Sequence, residues 1–527
     1  MRMELRLFVI FVLSLCASAG ARAGKLFIPM DAHRQTNHLK AYGIAFASLR
    51  NNKPVYWLLN YKGGSFVMDD TPDLEALCIQ RGVAYKKITN ADYAAITKKI
   101  KDPHFNGEII KLEKAPKIAV YTPLNKEPWD DAVTLALTYA EIPFDKLYAD
   151  EVLAGGLDKY DWLHLHHEDF TGQYGKFWGL YRNASWYIND KSAAEATAAR
   201  RGFKKVSQMQ LAVVKKIRDF VATGGNLFAM CSATDTYDIA LAAEGTDICD
   251  TPFDGDKMDP KAQSKLDFTK CFAFRDFIIS TNPMEYEYST IDNTNFRHVM
   301  KDSDYFRLIS FPAKFDPGAA MLCQNHTDTV KGFMGQTTAF RKEVIKPGVL
   351  ILGDFAKVNE ARYIHGEYGD GTWTFYGGHD PEDYQHSINN PPTDLRLHPN
   401  SPGYRLILNN VLSPAAKKKF IQTVVLGDTA RAKPVKKNDE ELAHVQTFAE
   451  RVKITPNPSK DELLISVVPL PGGINDIKTV VILTGAGAEV YNRKFNAEQV
   501  TVNLNDLPSG MFLIKVNGEF AGKVVKE

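Results

Sequence analysis

One cysteine stands where a predicted strand turns directly into a predicted helix. Cys231 follows the apolar run Asn226–Met230, and a helix is predicted to begin at Ser232. A sharp turn of this kind exposes its central side chain and aims the next backbone N–H groups at a developing oxyanion. The helix N-terminus would also lower the pKa of the thiol. Cys231 is therefore a candidate nucleophile, and the alternative is a small buried residue at a strand end.

A candidate base follows a late strand of the same region. His379 comes after the strand predicted at Thr372–Tyr376, and Asp380 and Glu382 follow it closely. In open α/β sheets, sites form beyond the carboxyl ends of the strands. His379 could therefore act as general base for Cys231, with Glu382 or Asp380 orienting the imidazole. A small amide or a similar carbonyl compound would be the substrate.

Histidines are concentrated at the end of the strand predicted at Trp162–Leu165, where the chain reads His164-Leu165-His166-His167-Glu168-Asp169. Alternation along a strand puts His164 and His166 on one face and His167 on the other. Imidazole and carboxylate groups at a strand end are typical metal ligands. The pattern allows a metal site, with Zn²⁺ as the candidate ion, in which His166 or His167 joins Cys231 and His379. The alternative is a solvated loop rim.

Two N-terminal loops hold further candidate ligand-binding residues. The loop after the first predicted strand is polar, and a turn further on is rich in backbone N–H groups that could hold an anion. These candidates are Asp31, Gln35, Asn37 and His38 in the first loop, and Gly63, Gly64 and Ser65 in the second.

The elements that would position these residues alternate between strand and helix. Apolar strand-like runs at Lys25–Met30, Val55–Asn60 and Val83–Ile88 are separated by helical patterns, and the alternation restarts at Ile118–Tyr121. This order predicts an α/β fold with a doubly wound, mostly parallel sheet. We expect an N-terminal α/β unit over residues 24–114 and a larger α/β domain over residues 115–430.

The first residues resemble a secretory signal peptide. Arg2 and Arg6 precede an apolar run from Leu7 to Leu15, and the small residues up to Ala23 suit a cleavage site. Residues 1–23 are therefore predicted to be removed on export. No other stretch reaches the roughly 20 apolar residues of a transmembrane helix. The net charge of +1 gives no general reason to expect nucleic-acid binding.

Five cysteines remain after the predicted signal peptide, so at least one thiol stays unpaired by disulfide bonding. Cys249 and Cys271 flank an Asp-rich irregular stretch and are the first candidates for a disulfide.

The chain changes character after a charged linker at residues 431–450. Residues 451–527 contain about seven short alternating segments separated by turns, which predicts a small immunoglobulin-like β-sandwich. Pro456-Asn457-Pro458-Ser459 and the ending Leu507-Pro508-Ser509-Gly510, followed by Met511–Val516, resemble the C-terminal sorting domain of type IX secretion cargo in Bacteroidota. The resemblance implies export to the cell surface or the medium through the periplasm, with the type IX machinery as partner. A carbohydrate-binding or spacer module is the alternative.

The larger domain resembles the class I glutamine amidotransferase-like superfamily, whose sheet is flavodoxin-like. The strand–Cys231–helix unit and the loop with His379 carry this resemblance, and the Ser232-Ala233-Thr234-Asp235 turn is similar to the trehalose-utilisation (ThuA-like) branch. The resemblance implies a ligand-binding role for Asp235. The motifs from Ile28 to Phe66 also resemble exported Bacteroidota proteins labelled asparagine synthetase B.

Three functions remain open from the sequence. The first is an exported amide hydrolase with Cys231 as nucleophile. The second is a metal-binding ThuA-like protein that acts on or binds a sugar-like ligand. The third is a catalytically silent binding protein at the cell surface.

Overall fold

The structure is a computed structural model that describes ten stretches of the chain. These are residues 24–122, 131–292, 303–355, 358–385, 391–416, 452–455, 459–467, 476–484, 489–517 and 519–526. The predicted signal peptide and the predicted linker therefore lie outside the described residues. Among the described residues, no helix is long and apolar enough to cross a membrane.

The first sheet has five strands and three helices. Strands β1–β5 cover Lys25–Ile28, Val55–Leu58, Ser65–Asp69, Lys86–Ile88 and Ile109–Leu112. Helices α1–α3 cover His38–Arg50, Pro72–Gln80 and Asn90–Lys101. The strand order is β4-β1-β3-β2-β5, and every neighbouring pair is antiparallel.

The predicted parallel arrangement is wrong for this unit. Strand β3, which was not predicted, follows β2 after only six residues, and a parallel crossover needs a dozen or more. The two strands therefore pair as a hairpin, and β1 joins the free edge of β3 in the antiparallel sense.

The second sheet has ten strands. Strands β6–β15 cover Ile118–Tyr121, Asp145–Leu147, Trp162–Leu165, Asn226–Met230, Tyr305–Leu308, Thr329–Lys331, Phe340–Arg341, Leu350–Phe355, Glu360–Tyr368 and Gly371–Tyr376. Its order is β11-β10-β13-β14-β15-β9-β8-β6-β7, and β12 pairs with β14. The five strands β7, β6, β8, β9 and β15 are parallel.

The other half of this sheet is antiparallel, which corrects the expectation of a mostly parallel sheet. Strands β14 and β15 are joined by a two-residue turn, Gly369-Asp370, where Gly369 has φ +60°. A turn this short closes only an antiparallel hairpin. The chain is therefore a mixed α/β protein, and its assignment to the amidotransferase-like class stays a prediction.

Helices cover both faces of the second sheet. Helices α4–α13 cover Ala132–Ala140, Ala149–Leu153, Trp178–Tyr181, Ser185–Arg200, Val206–Ala222, Ala233–Ala242, Thr251–Asp254, Ala262–Lys265, Pro317–Leu322 and Pro402–Leu412. Short 3₁₀ turns lie at Tyr174–Lys176, Phe268–Lys270, Lys342–Val344 and Ser413–Ala415. Residues of α1, α4 and α13 form one apolar core with both sheets, and α8 and α9 contribute to a second core on the opposite face.

The C-terminal region contains the predicted seven strands. Strands β16–β22 cover Val452–Thr455, Glu462–Val467, Ile477–Thr484, Glu489–Ala497, Gln499–Asn503, Gly510–Val516 and Glu519–Lys526. They form one three-stranded and one four-stranded sheet around a shared apolar core. The predicted β-sandwich is therefore confirmed as a sandwich-like arrangement.

The predicted disulfide between Cys249 and Cys271 is not formed. The Cys249 thiol donates to the Thr171 carbonyl over 3.2 Å, and the Cys271 thiol donates to the Asp238 carbonyl over 3.4 Å. Both side chains are buried, and each thiol is free.

A buried polar network joins the first sheet to the second. His38 on α1 stacks on His326 with ring centroids 4.2 Å apart, and its two ring nitrogens contact the Asn400 side chain and the Met30 carbonyl. The Arg405 guanidinium contacts His326 Nδ1 and donates to the carbonyls of Met30 and Gly63. Burial, reinforced by the charge of Arg405, lowers the pKa of His38 to about 4 and that of His326 to about 3.

We expect this network to make the protein sensitive to mild acid. The pKa of His38 lies below the ordinary value of 6.5, so its stabilisation is complete above pH 6.5 and is lost as the pH falls towards 4. From pH 6.5 to pH 5 this residue alone should cost about 2 kcal/mol of unfolding free energy. Denaturant unfolding at both pH values measures it. His38→Asn should reduce the loss, whereas the control His33→Asn, at an exposed position, should not. Equal pH dependence in all three proteins would contradict the expectation.

Candidate functional site

The candidate residues of the second sheet lie at the carboxyl ends of its parallel strands. His166 and His167 follow β8, Cys231 follows β9, and His379 follows β15 after two glycines. Since β8, β9 and β15 are neighbours in the sheet, these side chains start from adjacent positions on one edge. The strand order therefore explains why these residues start from neighbouring positions, as the sequence analysis expected.

Three histidines form a cluster at this edge, which we call the histidine cluster. One ring nitrogen from each of His166, His167 and His379 lies within 4.8 Å of the other two. His166 Nε2 and His379 Nδ1 are 3.0 Å apart, and the two rings are nearly perpendicular. His166 and His379 are buried, whereas His167 is exposed. The cluster is therefore reachable from solvent at His167.

Asp131 lies next to His166 of the histidine cluster. It is the N-cap of α4, and its Oδ1 accepts the N–H groups of Val133 and Thr134 over 2.8 and 2.9 Å. Its Oδ2 lies 3.2 Å from His164 Nε2 and 3.7 Å from His166 Nδ1. Burial alone would raise the pKa of Asp131, but the charge and hydrogen bond of His164 lower it overall. An ionised carboxylate here orients the His164 imidazole by a hydrogen bond and lies within ion-pair distance of His166.

Sequence reasoning missed the role of Asp131. Its signal was available, because an Asp before a helix that follows a buried strand lies at the same carboxyl edge as the histidines. The 33-residue separation from His164 hides the contact from any local motif.

Cys231 has the backbone geometry expected of a sharp strand-to-helix turn. Its φ is +49°, in the left-handed region that costs a non-glycine residue about 1 kcal/mol or more. The Cys231 N–H donates to the Gly378 carbonyl over 3.1 Å, which joins this turn to the loop carrying His379. Strain of this kind persists only where the surrounding structure holds it, and it is frequent at functional sites.

A loop that the sequence did not single out, residues 334–338, covers the thiol. The Gln336 N–H donates to Cys231 Sγ over 3.3 Å, the Gly378 N–H donates to the Thr337 carbonyl, and the His379 N–H donates to the Met334 carbonyl. Gly335 packs so closely that an added Cβ would lie 2.8 Å from the backbone nitrogen of His379 and 3.1 Å from Cys231 Sγ. The thiol and the His379 backbone therefore share the same small space.

Burial raises the pKa of Cys231 to about 11, although backbone N–H groups of Gln336, Thr337 and Ser232 oppose the shift. The side chain is 3 % exposed. The thiol is thus protonated at neutral pH, and a base would be needed to activate it.

Asp235 lies in the first turn of α9 and contacts the covering loop. Its Oδ1 accepts a hydrogen bond from the Thr337 hydroxyl over 2.8 Å. Burial raises the pKa of Asp235 well above its ordinary range. The predicted ligand-binding role of Asp235 stays a prediction, while its present contact is with the protein itself.

Asp380 and Glu382 lie beside His379 in sequence but contact other groups. Asp380 is buried, which raises its pKa, and its Oδ1 accepts the Glu382 N–H over 2.9 Å. Glu382 Oε2 lies 3.1 Å from His398 Nδ1. His379 Nδ1 lies 3.0 Å from His166 Nε2. The predicted orientation of His379 by Glu382 or Asp380 stays a prediction.

Most of the N-terminal candidate residues are held by contacts within the protein. Gln35 bonds the backbone at Pro29 and Ala84, Asn37 caps α1, and the Ser65 hydroxyl donates to two backbone carbonyls. Gly63 approaches the Met30 carbonyl too closely for a Cβ, and a Cβ at Gly64 would lie 2.6 Å from Gln324. Asp31 lies near Arg34, and His38 belongs to the network with Arg405.

A separate cavity of about 860 Å³ opens at the amino ends of strands β9 and β15, the opposite ends from the candidate site. Asn226 and Thr372, which begin or nearly begin β9 and β15, line it. The histidine cluster and Cys231 lie at the other ends of these strands. The cavity is therefore distinct from the candidate site.

Residues 453–527 match the family model of the secretion system C-terminal sorting domain. The protein is therefore secreted or carried on the cell surface, and its sorting domain implies interaction with the type IX secretion machinery. The match covers the C-terminal β-domain and leaves the α/β body unassigned.

No curated protein matches the chain. Solved structures with partial similarity include two cytoplasmic proteins of Salmonella typhimurium, STM3548 and STM1381. They are 10% and 12% identical, and each match covers 57% of this chain and 100% of the other, at a TM-score of 0.28. A β-galactosidase from Bacillus circulans sp. alkalophilus is 10% identical over 75% of this chain and 42% of that chain, at a TM-score of 0.24.

Proposed function

We propose that the protein is an exported metal-dependent hydrolase whose ion, best matched by Zn²⁺, binds His166, His167 and His379. The observation that carries this proposal is the histidine cluster, in which all three ring nitrogens lie within 4.8 Å of one another. Imidazole is a preferred ligand of Zn²⁺, and three protein ligands leave one position open, as in catalytic zinc sites.

The spacing of the nitrogens is compatible with such an ion. Two nitrogens on a tetrahedral Zn²⁺ with bonds of 2.0–2.1 Å are about 3.3 Å apart. The 3.0 Å between His166 Nε2 and His379 Nδ1 needs only a small adjustment to reach this value. Asp131, 3.7 Å from His166 Nδ1, supplies the carboxylate that commonly orients a ligating histidine.

The chemistry of the site follows from these groups. A bound Zn²⁺ would polarise a substrate carbonyl and lower the pKa of water to about 7. Asp131, 3.7 Å from His166 Nδ1, would favour a proton on that nitrogen, which would leave Nε2 of His166 available as a ligand. His167, being exposed, lies where a substrate would enter. A small amide or a similar carbonyl compound fits this chemistry, and an exported protein has no ATP for a synthetase reaction.

A second candidate is a thiol hydrolase of the class I glutamine amidotransferase-like type, with Cys231 as nucleophile. The specific observation in its favour is the strained φ of +49° at Cys231, together with the Gln336 N–H that points at its sulfur. The parallel strands also follow the spatial order 2-1-3-4-5 in chain sequence, as in flavodoxin-like sheets. The raised pKa of Cys231 and the contact of His379 with His166 make this candidate the weaker one.

Metal content after native purification separates the candidates. We expect about one Zn²⁺ per chain by plasma mass spectrometry, and amide hydrolysis that a chelator abolishes and Zn²⁺ restores. A metal-free protein that also fails to take up added Zn²⁺ would refute the metal proposal. In that case, iodoacetamide labelling lost in Cys231→Ala would support the thiol hydrolase, and absence of both would favour a binding protein.

Asp131 provides a graded test of the same site. Asp131→Asn should lower the Zn²⁺ affinity roughly 10–100-fold, because the amide orients the histidines less well than a carboxylate. Stability should change little, since Asn caps a helix about as well as Asp. Competition with a zinc chelator measures the affinity, and thermal unfolding of the metal-free protein measures the stability. Unchanged affinity in Asp131→Asn would contradict the role of Asp131.

A further inference from the structure

Exposed apolar side chains are concentrated beside the candidate site. We define the aromatic patch as the side chains of Phe177, Tyr181, Trp186 and Tyr286. The ring centroid of Phe177 lies 5.5 Å from that of Trp186 and 6.0 Å from that of Tyr286. The ring centroids of Tyr181 and Trp186 are 5.2 Å apart. Trp186 and Tyr286 are each more than a third exposed, and next to them Leu180 is 79 % and Met284 62 % exposed. Exposed apolar groups gathered in this way mark a binding surface.

Gln336 connects the aromatic patch to the candidate site. Its backbone N–H donates to Cys231 Sγ over 3.3 Å, and its side-chain amide donates to the Tyr286 carbonyl over 3.1 Å and to the Gly175 carbonyl over 2.7 Å. One residue therefore spans the distance between the Cys231 turn and the two segments that carry the patch.

The segment that carries the patch is held in an unusual conformation. Tyr174, Gly175 and Lys176 have φ values of +52°, +71° and +56°. The buried Lys176 amine donates to the carbonyls of Ser280 and Asn282, and Asp169 accepts the Gly175 N–H over 2.9 Å. A left-handed backbone conformation is costly for residues such as Tyr174 and Lys176, and it persists only where surrounding contacts hold it. These hydrogen bonds therefore fix the position of the patch relative to the site.

We propose that the aromatic patch binds an apolar side chain, aromatic or branched aliphatic, of an amide or peptide substrate. This inference rests on the proposed hydrolase function and names its substrate class. Rings mixed with exposed Leu180 and Met284 suit an apolar side chain, because aliphatic groups offer no hydrogen bonds to the hydroxyls of a sugar. A cationic ligand is disfavoured because the Arg182 guanidinium, 5.1 Å from the ring centre of Trp178, places a positive charge next to Tyr181 in the chain.

Binding of small amides to the full chain tests this inference. Tryptophan fluorescence is titrated with N-acetyl-phenylalaninamide, with N-acetyl-glycinamide and with maltose. We expect a saturable change with the phenylalanine amide, binding at least ten times tighter than that of the glycine amide, and no response to maltose. Tyr286→Ala and Met284→Ala should each weaken binding at least threefold. Tyr286→Ala keeps the backbone carbonyl that Gln336 contacts, and Leu397→Ala, at a 75 % exposed leucine elsewhere, is the matched control.

The result separates this inference from the proposed function. Fluorescence binding does not require the metal, so His379→Ala should still bind the phenylalanine amide even though hydrolysis is lost. Equal binding of the glycine and phenylalanine amides, a preference for maltose, or patch variants that behave like Leu397→Ala would overturn the inference. Those outcomes would leave the metal content and the hydrolysis of small amides unaffected.

Discussion

Replacing His379 with alanine is expected to lower the affinity for Zn²⁺ by at least about 100-fold, because loss of a ligand exceeds the effect of losing an orienting partner. His379 Nδ1 lies 3.0 Å from His166 Nε2, and both rings are buried. The backbone N–H of His379, which donates to the Met334 carbonyl, is retained in the variant. Chelator competition measures the affinity, and amide hydrolysis should fall in parallel.

His398→Ala is the control for this variant. His398 lies 3.1 Å from Glu382 and is partly exposed, and it is outside the histidine cluster. We expect it to bind Zn²⁺ like the unaltered protein. If His379→Ala also retains full affinity, the ion is not held by this cluster.

Replacing Arg362 with methionine is expected to cost about 3–5 kcal/mol of unfolding free energy, because it strips the cation from two fully buried carboxylates. The Arg362 guanidinium donates to both carboxylate oxygens of Asp304, over 2.6 and 2.7 Å, and to Glu360 over 3.1 Å. All three side chains have no exposed surface. Denaturant unfolding of the body measures the loss.

The triple variant Arg362→Met, Asp304→Asn, Glu360→Gln distinguishes charge from packing. It removes the uncompensated charges, so it should recover part of the lost stability. Arg307→Met, at an exposed position on β10, which β13 separates from the strand of Arg362, is the control and should change stability by less than about 0.5 kcal/mol. A loss in Arg362→Met no larger than that of the control would show that the buried ion pairs contribute little.

Local sequence patterns were sufficient to predict the bounds of three of the parallel strands at the site. The apolar runs predicted at Ile118–Tyr121, Trp162–Leu165 and Asn226–Met230 have the same bounds in the structure, as β6, β8 and β9. Each is short and fully or almost fully buried, and a charged residue or a glycine precedes it, which makes the start of the strand predictable. The candidate residues at their ends were therefore predictable in position along the chain.

Pairing between distant segments was not predictable in the same way. Strand order decides that β15 lies beside β9, and no local pattern indicates this pairing. The contact of Asp131 with His164 and the cover of Cys231 by residues 334–338 depend on that order. Both contacts were missed for this reason.

The same limit explains the wrong expectation about Cys249 and Cys271. Their positions at the two ends of an irregular stretch suggested a disulfide. In the structure each thiol donates to a backbone carbonyl of another segment. Sequence spacing limits which groups can come into contact, and the tertiary fold determines which of them do.

Zinc K-edge X-ray absorption of the Zn²⁺-loaded protein tests the metal site most directly. Three imidazole ligands predict nitrogen and oxygen scatterers at about 2.0–2.1 Å, with the outer-shell pattern of histidine rings that His379→Ala diminishes. A sulfur scatterer at about 2.3 Å would instead place the ion on a cysteine such as Cys231. That result, or a spectrum without histidine, would contradict a site built from His166, His167 and His379.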